Sequence, residues 1–282
     1  MIRLLSLDID GTLLDSDGHL PDENRRAVQR ALDAGVEVAL ATGRRYEFAR
    51  HVFEALPAPL TLILSNGAVV KDRDGRTEMR HLLPMATARH VLTRVAHPRE
   101  TAAIVFDRPR ERQVVFETID WSHPRHGRFF EANRPFLGEQ QPLEDALTED
   151  PIQVMFTGRC VEMRGLFHAL QTQAGHPGTP PYSVALTEYE DRDFSLVDVI
   201  RAGCSKGSTL SAWAARRGYG QDEVMAVGDN MNDLEMLEYA GCPVVMGNGL
   251  EVLKRRGWPV TASNDEAGVA RAIETFVFGT AS

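Results

Sequence analysis

A rhythm of short apolar runs separated by helix-length stretches constrains this chain more than any other feature of its sequence. Residues 2–8 form an apolar run that ends in carboxylates, the pattern of a buried strand. The stretch 22–34, DENRRAVQRALDA, places Val28, Ala31 and Leu32 at helical spacing, and Gly35 stops it. Val36–Ala41 then reads as a second buried strand, 45–56 as a helix and Leu60–Leu64 as a third strand. Strands that are apolar throughout need cover on both faces, which alternating helices supply. The expected fold is therefore α/β, a Rossmann-like parallel sheet. The rhythm returns near the C-terminus: helix 206–217, strand Glu223–Val227, helix 230–239 and strand Val244–Met246. A helix near 249–255, a strand at Pro259–Thr261 and a helix over 266–277 follow.

Between these halves the pattern changes. Strands are expected at Ala102–Phe106, Gln113–Phe116, Ile152–Phe156 and Tyr182–Leu186, with helices at 86–96 and 161–173. The loops there are rich in Pro, Gly, His and Arg. Such mixing predicts an α+β module, residues 84–190, inserted into a core made of 1–83 and 191–282. A chain of 282 residues is long enough for both.

Composition narrows the partners. A net charge of −9 speaks against nucleic acid and anionic membranes, since both reward a basic surface. No apolar run approaches the ~20 residues that span a bilayer, and the acidic start does not suit a secretion signal. Cys160, Cys204 and Cys242 are widely spaced, as reduced structural thiols are. The expectation is a soluble cytoplasmic protein. If such an acidic protein handles phosphate, it must supply positive charge locally, through a metal or a placed lysine. Only three of its 31 basic residues are lysines: Lys71, Lys206 and Lys254.

Chemistry concentrates where strands end. Asp8-Ile9-Asp10-Gly11-Thr12 closes the first strand, and side chains two apart on a strand face the same way. Two carboxylates held close repel unless a cation lies between them or one keeps its proton. A polar turn would use the same residues; a divalent metal with an acid/base role for one carboxylate is the functional alternative. Gly228-Asp229-Asn230-Met231-Asn232-Asp233 follows another strand, and Asp229 and Asp233, four apart, share a helix face. Capping accounts for some of these residues, and hard oxygen donors at this spacing suit Mg2+. Lys206, in Cys204-Ser205-Lys206-Gly207-Ser208, offers a compact point charge that arginine would not. Ala41-Thr42-Gly43-Arg44 and Ser65-Asn66-Gly67 add hydroxyls and free N–H groups before helices, weak anion sites taken singly.

In these motifs, taken in order, the chain resembles the haloacid dehalogenase superfamily, and within it the Cof-type phosphatases with a large inserted α+β cap. Met246-Gly247-Asn248 and Asn264-Asp265 resemble trailing motifs of that group, whereas residues 255–260, RRGWPV, depart from it. The resemblance implies that Asp8 attacks phosphorus and that Asp10 protonates the leaving oxygen, then activates water. It implies Mg2+ held by Asp8, the Asp10 carbonyl and Asp229, with Asp233 in or just behind that set. Thr42, Gly43 and Lys206 would hold the phosphoryl group and Asn232 would contact it. The implied substrate is a small phosphate ester, a sugar phosphate by family analogy. His123, Arg125, His126 and Arg128 cluster in one loop, either as a solvated surface or as a reader of the substrate. A phosphomutase and a non-catalytic phosphate binder are the alternatives. A signalling receiver domain is about half this long and carries its acceptor mid-chain. Oligomeric state leaves no trace in the sequence.

Overall fold

The computed structural model describes residues 1–94, 99–122, 127–174, 176–189 and 193–279. The chain divides into two compact units, Met1–Arg80 with Cys204–Ser282, and His81–Gly203. The first unit opens with β1 (Leu4–Leu7), α1 (Asp22–Asp33), β2 (Glu37–Ala41), α2 (Tyr46–Ala55), β3 (Thr61–Leu64), β4 (Val69–Asp72) and β5 (Thr77–Arg80). The second holds α3 (Met85–Arg94), β6 (Ala102–Val105), β7 (Val114–Phe116), α4 (Gly127–Asn133), β8 (Leu137–Glu139), β9 (Gln153–Gly158), α5 (Cys160–Ala174), β10 (Tyr182–Tyr189) and β11 (Phe194–Arg201). The first unit resumes with α6 (Lys206–Arg217), β12 (Val224–Gly228), α7 (Leu234–Tyr239), β13 (Cys242–Val245), α8 (Glu251–Lys254) and α9 (Gly268–Phe276).

The first unit is the expected Rossmann-like α/β core. Its sheet runs β13-β12-β1-β2-β3-β4-β5 among the described residues, with parallel pairing from β13 through β3. Leu5, Leu7, Val38, Leu40, Met225 and Val227 face one core with α1, α2 and α9. Leu4, Ala39, Ala41, Val224 and Ala226 face another with α6 and α7. Cover on both sides is why β1, β2 and β12 are apolar at nearly every position. Ser6 is the exception in β1, and its hydroxyl lies 3.1 Å from the Met236 sulfur.

Some elements differ from the sequence expectation. The antiparallel hairpin β4–β5 was not expected, although Asp74-Gly75 marks its turn. Asp72 Oδ1 closes that turn by accepting from the N–H groups of Asp74 and Arg76. The strand expected at Pro259–Thr261 shrinks to one bridge between Val245 and Val260. The helix expected from residue 230 begins as a 3₁₀ turn, Met231–Asp233, before α7.

The second unit is α+β. Its largely antiparallel sheet runs β10-β11-β9-β6-β7-β8, and Ile104, Val154, Phe156, Val197 and Val199 pack with Val91, Leu166 and Leu170 from α3 and α5. Strand β11 pairs with β10 and β9, so this unit passes the boundary expected at residue 190 and runs to Gly203. The sequence FSLVDVIR hides the strand because Asp198 interrupts the apolar run. That carboxylate is buried and accepts from Gln153 Nε2 at 2.7 Å.

Candidate active site

Parallel neighbours β12, β1, β2 and β3 end on one edge of the sheet, where open α/β sheets place their ligands. The residues that follow them are Asp229, Asp8, Thr42 and Ser65, all buried. Asp8 continues the even-numbered face of β1, the face covered by α6, and α6 begins with Lys206. Ser205 caps that helix by accepting from the Ser208 N–H, and the Ser208 hydroxyl accepts from the Ser205 N–H. A cation in the first helical turn opposes the helix dipole, so something else must stabilise Lys206 there.

Two carboxylates do so. Lys206 Nζ donates to Asp8 Oδ1 and to Asp233 Oδ1, at 2.6 Å each, and its side chain is wholly buried. Burial works against the ammonium, but Asp233 and Asp8 hold its pKa above the ordinary lysine value. The other oxygen of Asp233 accepts from the backbone N–H groups of Asp229 and Asn230, at 3.0 Å each. Both oxygens of Asp233 are thus engaged.

Anionic charge exceeds this one cation. Carboxylate oxygens of Asp8, Asp229 and Asp233 lie within 4.8 Å of one another. Burial, then the charge of Asp233, pushes the Asp8 pKa well above the usual carboxylate range, with Lys206 pulling the other way. Burial and Asp233 push Asp229 up to about 7, although Thr12 donates to its Oδ1 at 2.8 Å. Three carboxylates and one ammonium leave two negative charges when all are ionised. A hard divalent cation with oxygen donors matches that charge and that donor chemistry.

The turn after β1 is fitted to Asp229. Gly11 has φ +76°, and a Cβ on it would fall 2.6 Å from Asp229 Oδ2, so only glycine allows this approach. Asn248 Nδ2 donates to the Gly11 carbonyl at 2.8 Å, and Asn248 Oδ1 accepts from the Asn264 N–H at 2.9 Å. Asn264 in turn donates to the Leu14 carbonyl, while Asp265 accepts from the Ser16 N–H and hydroxyl. The two trailing motifs therefore buttress the first loop, a role that the sequence did not show.

Thr42 and Asn232 are linked through Asn66. Its N–H donates to the Thr42 carbonyl at 3.0 Å, and its Oδ1 accepts from Asn232 Nδ2 at 3.1 Å. Gly43 lies close enough that a Cβ there would sit 3.3 Å from Asn66 Oδ1. Ser65, Asn66 and Gly67 all have positive φ, at 50°, 53° and 99°. Two consecutive non-glycine residues at positive φ cost of order 1–3 kcal/mol each, and it is from this turn that Asn66 meets Asn232. The buried Asn232 Oδ1 has no hydrogen-bond partner.

Asp10 lies in the turn after β1, which ends at Leu7, rather than on the strand itself. After burial and Asp233, the charge of Asp10 is among those that raise Asp8 and Asp229. Its carboxylate is not part of the Asp8–Asp229–Asp233 group. Instead Arg44 takes both of its oxygens, Nε to Oδ2 at 2.8 Å and Nη2 to Oδ1 at 2.5 Å. The side chains of the loop cluster His123, Arg125, His126 and Arg128 lie outside the described residues.

Comparison with known proteins bears on the family and the fold. A family model described as haloacid dehalogenase-like hydrolase matches residues 5–273. The pyridoxal phosphate phosphatase YbhA of Escherichia coli is 29% identical over 286 residues, covering 96% of this chain and 97% of that protein. The 5-amino-6-(5-phospho-D-ribitylamino)uracil phosphatase YitU of Bacillus subtilis is 27% identical, covering 97% of each. A haloacid dehalogenase-like hydrolase from B. subtilis shares the fold with a TM-score of 0.80 at 23% identity, over 98% of this chain and 100% of that one. One from Bacteroides thetaiotaomicron does so at 0.76 and 24%, over 97% and 99%.

Proposed function

The chain belongs to the haloacid dehalogenase-like hydrolases, and on that premise we propose that it is a Mg2+-dependent phosphatase whose nucleophile is Asp8. The observation that carries this reading is the buried set of Asp8, Lys206, Asp229 and Asp233 at the ends of β1 and β12 and the start of α6. A carboxylate with so raised a pKa is a poor nucleophile by itself, because burial favours its neutral form. Lys206 pulls toward the charged form that attacks. A second cation beside Asp8 would favour that form further.

Asp8, the Asp10 carbonyl and Asp229 are the residues that would hold Mg2+, and Asp233, already engaged at both oxygens, stands behind them. When bound, the ion supplies charge that offsets repulsion between an anionic nucleophile and an anionic ester. Asp8 attacks phosphorus in line, and Lys206 and the Thr42–Gly43 turn hold the phosphoryl oxygens with Asn232 beside them. Asp10 gives its proton to the leaving oxygen. The same carboxylate then takes a proton from water, which attacks the aspartyl-phosphate and regenerates Asp8.

The substrate class in this reading is a small phosphomonoester. Sugar phosphates follow from family analogy, and the relatives named above add pyridoxal phosphate and a ribityl phosphate. The test is phosphate release from p-nitrophenyl phosphate and a panel of these esters, with Mg2+, with chelator, and with Asp8→Asn. Activity that needs both Mg2+ and Asp8 supports the reading. Undiminished turnover by Asp8→Asn would sink the covalent route. No release from any ester by folded, Mg2+-supplied protein would favour a mutase or a phosphate binder.

A further inference from the structure

The proposed reaction gives Arg44 no task, yet the fold invests in its placement. Its guanidinium forks onto Asp10, and its remaining nitrogen, Nη1, donates to the Phe48 carbonyl at 3.2 Å and lies 3.3 Å from Nε2 of His51. Its backbone N–H donates to Thr42 Oγ1 at 3.0 Å. Phe48 and His51 belong to α2, so the fork is anchored from that helix and from the end of β2. The two paired side chains are only 23% and 27% exposed. A bidentate arginine–carboxylate pair fixes orientation as well as distance.

We propose that Arg44 is a positioning residue for Asp10, a pivot from which that carboxylate delivers its proton to the leaving oxygen. This rests on the phosphatase reading above. With both Asp10 oxygens held, proton delivery requires one to swing free while the other stays on the guanidinium. The freed oxygen takes a proton from water; in the transfer step that Asp10 O–H bond breaks and the proton goes to the bridging oxygen, which keeps the electron pair of the breaking P–O bond. A P–O bond to Asp8 forms at the same time. Without the pivot, a short side chain on an irregular turn samples several rotamers, and few of them reach the substrate.

The consequence is selective. Hydrolysis of an alkyl phosphate needs the acid, because an alkoxide leaves badly, whereas p-nitrophenolate leaves with little help. The experiment compares kcat on p-nitrophenyl phosphate and on a primary alkyl phosphate, with saturating Mg2+. It uses the unmutated protein, Arg44→Met, Arg44→Lys, Asp10→Asn and the double variant Arg44→Met/Asp10→Asn. Circular dichroism checks that each is folded. The expected result is a loss in Arg44→Met at least about tenfold greater on the alkyl ester than on p-nitrophenyl phosphate, partly restored in Arg44→Lys. The double variant should match Asp10→Asn on the alkyl ester within about twofold, since two residues acting through one step are not additive. Equal losses on the two esters, or fully additive losses in the double variant, overturn the proposal and make Arg44 merely structural. An unmutated protein that hydrolyses neither ester removes the phosphatase reading, and the proposal with it; turnover by the unmutated protein separates the two failures.

Discussion

Replacing Lys206 by methionine tests whether one ammonium holds the acidic cluster together. Methionine keeps most of the length and apolar stem, so the change is close to deletion of a charge. Asp8 Oδ1 and Asp233 Oδ1 each lose a 2.6 Å partner in a largely buried site. Removing one member of a buried ion pair costs about 3–5 kcal/mol. For a unit of this size about 1 kcal/mol moves Tm by roughly 2–4 °C, which gives a fall of roughly 8–16 °C for about 4 kcal/mol. The assay is thermal unfolding followed by circular dichroism, in chelator, at several pH values. The folded pKa values of Asp8 and Asp229 are raised, so the folded state holds protons that the unfolded chain has released. Acidification then neutralises the charges that Lys206 no longer balances. The gap between Lys206→Met and the unmutated protein should therefore be widest above pH 7 and shrink toward about pH 5. A fall in Tm below about 3 °C, or one equal at both ends of that range, would refute the argument.

The same linkage applies to the unmutated protein in chelator. Asp229 has an ordinary value of 3.8 and a folded value of about 7, so stability should decline as pH rises between them, by at most about 4 kcal/mol. Urea unfolding at stepped pH measures it; a rise over that window would contradict the placement of Asp229. Mg2+ at a hundredfold excess over its Kd should add about 2.7 kcal/mol and flatten the slope. Gly11→Ala forces a Cβ to 2.6 Å from Asp229 Oδ2 at φ +76°, and should cost about 1–3 kcal/mol. Isothermal titration should show weaker Mg2+ binding in that variant. Asn248→Ala removes the hydrogen bond to the Gly11 carbonyl and should weaken Mg2+ by about tenfold or more, as loss of outer partners does. Unchanged affinity would mean that the Gly11 turn holds its shape without Asn248.

The fold was legible where burial imposes a pattern. Strands β1, β2 and β12 announce themselves because both faces are covered, which forces apolar residues at successive positions. The meeting of Asp8, Asp229, Asp233 and Lys206 was legible for a related reason. Parallel strands share one carboxyl edge, so residues just beyond them are neighbours whatever their separation in sequence. What stayed hidden depends on side-chain reach or on single dihedrals. The Asp10–Arg44 fork needs a long side chain to turn back across a loop. The strained Ser65–Asn66 turn is set by tertiary packing, and neither residue type demands positive φ. Strand β11 was missed because Asp198 breaks its apolar run, and that buried carboxylate accepts from Gln153.

Asp8 and Lys206 are separated by 198 residues, and strand β12, the neighbour of β1 in the finished sheet, lies still further on. A ribosome adding about 5–20 residues per second makes the lysine roughly 10–40 s after the aspartate. Throughout that interval the nascent β1 offers an apolar flank with no partner, the kind of edge that recruits other chains. Translation that stalls within the insert therefore leaves a sticky fragment rather than a weak enzyme. The length of the insert sets how long that edge stays open.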